Sequence, residues 1–223
     1  MKKYLLLSML ILPSWLFAQD RQIVEATNGE DLSGRVSTRI QYLFPEFTDG
    51  EVYFLKSPKA GGKLNYNVLI GEMQFLNEGE VMTFDVKDVV MVTVADRRFF
   101  PYKGSEFAEE LLSTDKSQLR IRRKGNMAPY AKKGAYGISS STSSITSYSS
   151  VDGGNGQQYN LSMANDILIT VRYFYYLVGA NGKYTQITNV KTFTKQFPAH
   201  RTQIETFVKA HNIHFDKEDD LKK

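Results

Sequence analysis

From residue 35 to residue 194 the chain repeatedly alternates apolar and polar side chains, the period of a strand with one covered face. Val36, Thr38, Ile40 and Tyr42 oppose Arg35, Ser37, Arg39 and Gln41, which predicts a strand over 35–42. Asp49-Gly50 is a turn signal, and a short strand is expected from Glu51 to Leu55. After the Gly61-Gly62 break, Leu64, Tyr66, Val68 and Ile70 share a face. The parity changes after Gly71, where Met73 and Phe75 become the apolar pair, so a bulge or turn is expected there. Asn77 to Glu80 reads as a turn, and Met82, Phe84 and Val86 resume the alternation. Val89 to Val94 is apolar on both sides and predicts a central strand covered on both faces. Arg97 and Arg98 break that run ahead of Phe99-Phe100-Pro101.

Ser105 to Ser113 predicts a short helix, with Phe107 and Leu111 stacked four residues apart. Leu119 and Ile121, between Gln118, Arg120 and Arg122, predict another strand. Asn165 to Val178 is long and aromatic; Gly179-Ala180-Asn181-Gly182 closes it as a hairpin turn, and the returning strand or strands are expected over Tyr184 to Thr194. Pro198 then suits a first helical turn, and Ile204, Phe207, Val208 and His211 form one helical stripe. The fold class expected is mostly β: an antiparallel sheet, sandwich or partial barrel with a C-terminal α-helix over 197–223. It becomes α+β if the helices pack as a layer.

One stretch lacks core-forming residues. Ser139 to Ser150 holds ten Ser or Thr in twelve positions, and Gly153-Gly154-Asn155-Gly156 follows. Such composition buries too little apolar surface to offset ordering entropy, so a mobile Ser/Gly-rich loop is expected near 137–157. It interrupts a β-rich region spanning 19–196.

The first eighteen residues have the three-part order of a secretory signal. Lys2 and Lys3 are the positive end, Tyr4 to Phe17 is almost wholly apolar, and polar sequence begins at Gln19-Asp20. The cut is expected between Ala18 and Gln19, although Leu16 stands where a small residue is preferred. An uncleaved anchor is the alternative, but the apolar run falls short of the ~20 residues that span a bilayer. There is no cysteine, so neither an N-terminal lipidated cysteine nor a disulfide is available. The periplasm is the expected location, with an outer-membrane-associated or extracellular position second.

The chain carries 28 Lys+Arg and 24 Asp+Glu. Without Lys2 and Lys3 the balance is 26 against 24, too even to argue for nucleic acid from net charge. Arg120, Arg122, Arg123, Lys124, Lys132 and Lys133, interleaved with Tyr130 and Tyr136, form a basic stretch that could meet an anionic polysaccharide or lipid headgroup. A solvated strand face running into a loop is the plainer reading. Tyr173 to Tyr176 could stack sugar rings, or serve as core and cross-strand pairs. His211 and His214 have a shared-metal spacing without an obvious third ligand, with His200 about three turns earlier; a helix C-terminus is the plainer reading. No nucleophile elbow, thiol, phosphate loop or dinucleotide fingerprint is present. Glu72, Asp85, Asp88 and Asp96 are the carboxylates available for glycoside hydrolysis. No catalytic, cofactor-binding or metal residue is assigned.

The segment Gly62 to Phe75, GKLNYNVLIGEMQF, with Val92-Thr93-Val94 and Phe99-Phe100-Pro101 after it, resembles uncharacterised exported proteins of the Bacteroidota. The closing stretch from Phe197-Pro198 to Leu221 is similar to theirs as well. The resemblance implies an envelope address and carries no activity. The function expected is a non-enzymatic envelope protein binding a protein, a glycan or another envelope component, with peripheral membrane association possible. A carboxylate-based hydrolase of polysaccharide or cell wall is one alternative, and a lipid or small-ligand carrier is another.

Overall fold

Two thirteen-residue strands, paired along their whole length, form the spine of the molecule. The computed structural model describes residues 21–24, 36–129, 149–152, 158–161 and 167–223. In chain order the elements are β1 (Arg21–Val24), α1 (Thr38–Gln41), β2 (Thr48–Phe54), β3 (Ala60–Asn67), β4 (Glu72–Asn77) and β5 (Glu80–Thr83). Next come β6 (Val89–Val94), β7 (Arg97–Pro101), β8 (Phe107–Ser113), β9 (Ser117–Pro129), β10 (Ser149–Asp152), β11 (Gln158–Leu161), β12 (Ile167–Gly179) and β13 (Tyr184–Gln186). The chain closes with α2 (Val190–Thr194), a 3-10 turn at Pro198–His200, α3 (Arg201–Ala210) and α4 (Glu218–Leu221).

The sheet runs β1-β12-β9-β8-β7-β6-β2-β3-β4-β5, with β13 on the same edge of β12 as β1. Every pairing is antiparallel, and β9 lies against β12 from Ser117↔Gly179 to Pro129↔Ile167. The fold is therefore the mostly antiparallel sheet with a C-terminal helix that the alternation predicts, and the sheet does not close into a barrel. It does bend back on itself. The turn after β3 reaches across to β8 and β9, where Phe107 N–H donates to the Gly71 carbonyl at 2.7 Å and Gly125 N–H to the Leu69 carbonyl at 2.8 Å. Gly71 has φ +79°, so the parity change does mark a turn. A Cβ on Gly125 would lie 2.9 Å from the Leu69 oxygen, so only glycine permits this approach.

The concave side of the bend is filled. Val52, Leu64, Tyr66, Met73, Val92, Val94, Phe99 and Phe107 are buried together there. The Tyr66 hydroxyl, buried among them, donates to the Phe107 carbonyl at 3.0 Å. A second cluster joins Val24, Ile167 and Ile169 to Val36, Ile40 and Leu69. A third sets Leu119, Ile121 and Tyr175 against Ile187, with Phe193 and Leu221 from the helical segment.

Several local expectations are corrected. Residues 38–41 are helical, not a strand over 35–42: Val36 and Ile40 stand four apart, a spacing that fits either period, and Ser37 caps α1 by accepting from Arg39 N–H at 3.3 Å. The expected helix over Ser105 to Ser113 is instead a turn at Ser105 followed by strand β8 from Phe107, because Glu109 and Glu110 meet arginines across strands. Strand β6 buries Val92 and Val94 on one face, while Met91 and Thr93 on the other are only partly buried and Val90, at the register shift with β2, is 47% exposed. Arg97 and Arg98 begin β7 rather than break the run; the turn falls at Ala95, with φ +52°. Alternation after Met82 does not continue as strand beyond Thr83. The return strand ends at Gln186, and an Asn189–Thr192 capping box starts α2 within the stretch expected to be strand. Within the expected Ser/Gly-rich loop, Ser149–Asp152 pairs with Gln158–Leu161 as a small hairpin of its own, because antiparallel pairing satisfies the backbone there; residues 137–148 and 153–157 lie outside the described residues.

Candidate functional site

Strand alternation decides what the basic stretch does. On β9, Arg120, Arg122 and Lys124 point to one face and Arg123 to the other. On the first face the Arg120 guanidinium sits 3.8 Å over the Phe100 ring and that of Arg122 4.6 Å over the Phe174 ring. Arg120 donates to the Tyr184 hydroxyl, and Glu106 accepts from both Arg122 (2.5 Å) and Lys124 (2.7 Å). The Tyr102 and Tyr176 hydroxyls are bonded at 3.3 Å, and burial pushes the Tyr176 phenol up to about 12. These three cations are thus engaged within the sheet rather than presented as one solvated row. Lys132, Lys133, Ala18 and Gln19 lie outside the described residues.

Arg123 faces the concave side and is 5% exposed. It is bonded to the buried Glu109 carboxylate, which Arg97 also reaches at 3.1 Å, and its second nitrogen lies 3.6 Å from Glu218 of α4. Burial opposes the Arg123 charge, but Glu109 outweighs that and holds the guanidinium above its usual pKa. This network fastens the C-terminal segment to the sheet.

Between that segment and the sheet lie two clefts. The first, of about 540 Å³, is lined on one side by Leu119 and Leu177 of the sheet and on the other by Phe193, Ile204, Phe207, Phe215 and Leu221. It exists because α3 does not seat fully: none of its residues is buried, and Phe207 is 42% exposed despite belonging to the apolar stripe. Its few polar groups are Thr114, Ser117, Gln203, Asp220 and Lys223. The second cleft, of about 960 Å³, is polar and lies on the other side of α4. Tyr173 and Tyr175 of β12, with Arg97 and Arg123, form its sheet side; Asn212 and residues 216 to 220 form the opposite wall. Tyr173 is 38% exposed, whereas Tyr175 is buried and its phenol is pushed up to about 12, mainly by burial.

The wall between them is tied by Asp220. It accepts from Lys223 at 2.7 Å and from the His214 N–H at 3.0 Å, and His214 Nδ1 lies 3.1 Å from it. The Lys223 bond first, then the His214 backbone, hold this carboxyl well below the usual carboxylate range. His211 does not join His214 at a metal: it stacks on Phe207 with ring centres 4.1 Å apart, and its Nδ1 lies 3.0 Å from the Phe207 carbonyl. Among the described residues no set of three His, Cys, Asp or Glu is placed to hold a metal ion, and no helix is long and apolar enough to cross a membrane.

The candidate hydrolytic carboxylates are not gathered in either cleft. Glu72 is buried and accepts from the Ser105 hydroxyl at 2.5 Å. Asp85 and Asp88 are exposed between β5 and β6, and Asp96 is exposed on the β6–β7 turn. Compared with protein families, curated proteins and solved structures, the chain matches none.

Proposed function

We propose that the chain is an exported, non-enzymatic binding protein of the cell envelope, whose cleft beneath α3 holds the apolar chain of a lipid-like molecule. One observation carries this reading: a space of about 540 Å³ in which eleven of the sixteen lining residues are Leu, Ile or Phe. That size and lining suit a small-molecule site. The strands do not curl around the ligand, because the concave side of the sheet is packed solid. The space lies between the sheet and an incompletely seated helix instead.

Saturated alkanoates of increasing length provide the test, measured by displacement of a fluorescent fatty acid. Each buried methylene contributes about 0.8 kcal/mol, so affinity should climb roughly fourfold per methylene and level off once the cleft is full. Phe207→Glu places a carboxylate at the cleft lip on a side chain that is already exposed, and should weaken binding at least tenfold without unfolding the protein. Binding that ignores chain length, or that survives Phe207→Glu unchanged, refutes the reading.

A further inference from the structure

The two clefts share a wall, and that wall says what kind of head group the apolar chain carries. Asp220 and Lys223 line both spaces, so the two clefts adjoin at the end of α4. Building on the lipid-binding reading, we propose that the two clefts are the two ends of one amphiphile site, and that the polar end takes an uncharged, polyhydroxyl head such as a sugar.

Charge is the first argument. Four cations line the polar cleft, Arg97, Arg123, Lys217 and Lys223, against four carboxylates, Asp216, Glu218, Asp219 and Asp220. Most are already matched to each other or to Glu109: Arg97 and Arg123 on Glu109, Arg123 near Glu218, Lys223 on Asp220. Lys217, Asp216 and Asp219 are exposed at the rim, carry both signs and keep their water. On the sheet side Arg97 and Arg123 are compensated by Glu109, so an anionic or a cationic head would lose water there without gaining an uncompensated partner.

Hydrogen-bonding chemistry is the second. Hydroxyls both donate and accept, so a polyol can bond ion-paired carboxylates and ammonium groups alike without disturbing their balance. The Asn212 amide adds two donors and an acceptor at the same wall. The third argument is the Tyr173 ring on the sheet side. It is 38% exposed and lines the cleft, and its π face can meet the apolar C–H face of a sugar.

The experiment compares three single-chain amphiphiles of equal tail length, all below their micelle concentrations: dodecyl maltoside, dodecanoate and dodecyltrimethylammonium. Binding to the purified protein is read by calorimetry. The maltoside should bind at least tenfold tighter than either charged compound. Tyr173→Ala should erase that preference while dodecanoate still binds, which also reports that the variant is folded; Tyr173→Phe should keep it. Equal binding of all three amphiphiles, or a preference that persists in Tyr173→Ala, overturns the head-group inference and leaves the apolar-chain reading standing. If none of the three binds, the apolar-chain reading falls and this inference with it.

Discussion

Replacing Arg123 with methionine tests whether the buried ion network holds the C-terminal segment on the sheet. Arg123 and Glu109 are both nearly excluded from water, at 6% and 5% side-chain exposure. Removing one member of a buried pair costs ~3–5 kcal/mol, because the remaining charge is left desolvated without its partner. Here Arg97 stays 3.1 Å from Glu109 and is 40% exposed, so it still offsets part of the loss. The lower end of the range, about 3 kcal/mol, is therefore expected. In a chain of this size that corresponds to a fall in melting temperature of roughly 6–12 °C. Urea unfolding followed by far-UV circular dichroism measures it. Glu218→Gln is the control: Glu218 is the more distant, partly exposed partner at 3.6 Å, so its loss should cost no more than about 1 kcal/mol. The double variant Arg123→Met with Glu109→Gln should regain part of the loss, because no buried charge remains. An Arg123→Met protein within about 1 kcal/mol of the parent, or a double variant less stable than the single, would refute the argument.

Two further outcomes follow from the same geometry. Gly125→Val places a branched side chain where even a Cβ lies 2.9 Å from the Leu69 oxygen, so the turn after β3 must move; a loss of about 1–3 kcal/mol is expected, with faster hydrogen exchange at the Gly71-bonded amide of Phe107. Tyr175 and Tyr176, raised to about 12 chiefly by burial, resist ionisation in the folded protein. A phenol neutral in the fold and ionised near 10 when unfolded adds stability that is fully present below pH 10 and lost as pH rises through 12. Tyr66, wholly buried, is raised further still by the same cause, so absorbance at 295 nm should show at least three tyrosines titrating late, together with alkaline unfolding; all thirteen titrating near pH 10 in a folded protein would contradict it.

Strand β12 was legible as a long aromatic run and the start of β9 from the alternation about Leu119 and Ile121, but the extension of β9 to Pro129 was not, because residues 124–129 hold few core-forming side chains. Two of the misassigned elements share one ambiguity. Val36 with Ile40, and Phe107 with Leu111, are spaced by four, which satisfies periods of two and of 3.6 alike. For residues 36–41 the core selects a helix; for 107–113 the arginines facing Glu109 and Glu110 select a strand. The basic stretch reads as one patch only when the period of two is ignored, since that period alone sends Arg123 to the opposite face from Arg120 and Arg122. Neither cleft was legible, because each joins β9 and β12 to residues near the C-terminus across roughly 30 to 100 intervening positions. The surplus of apolar side chains at Phe197, Ile204, Phe207, Ile213 and Phe215 was the available signal. It is more than a ten-residue helix and its flanks need for packing alone.

The pairing of Arg21–Val24 with Ile167–Thr170 sets the order in which the molecule can complete itself. The first strand of the sheet waits for almost the last, so as the chain is made it stays without its edge until about three quarters of it exists. Such long-range closure is slow and keeps the nascent chain loosely structured. Strands β2 to β9 can pair among themselves before then, so the edge that β1 and β12 form is the last part of the sheet to close.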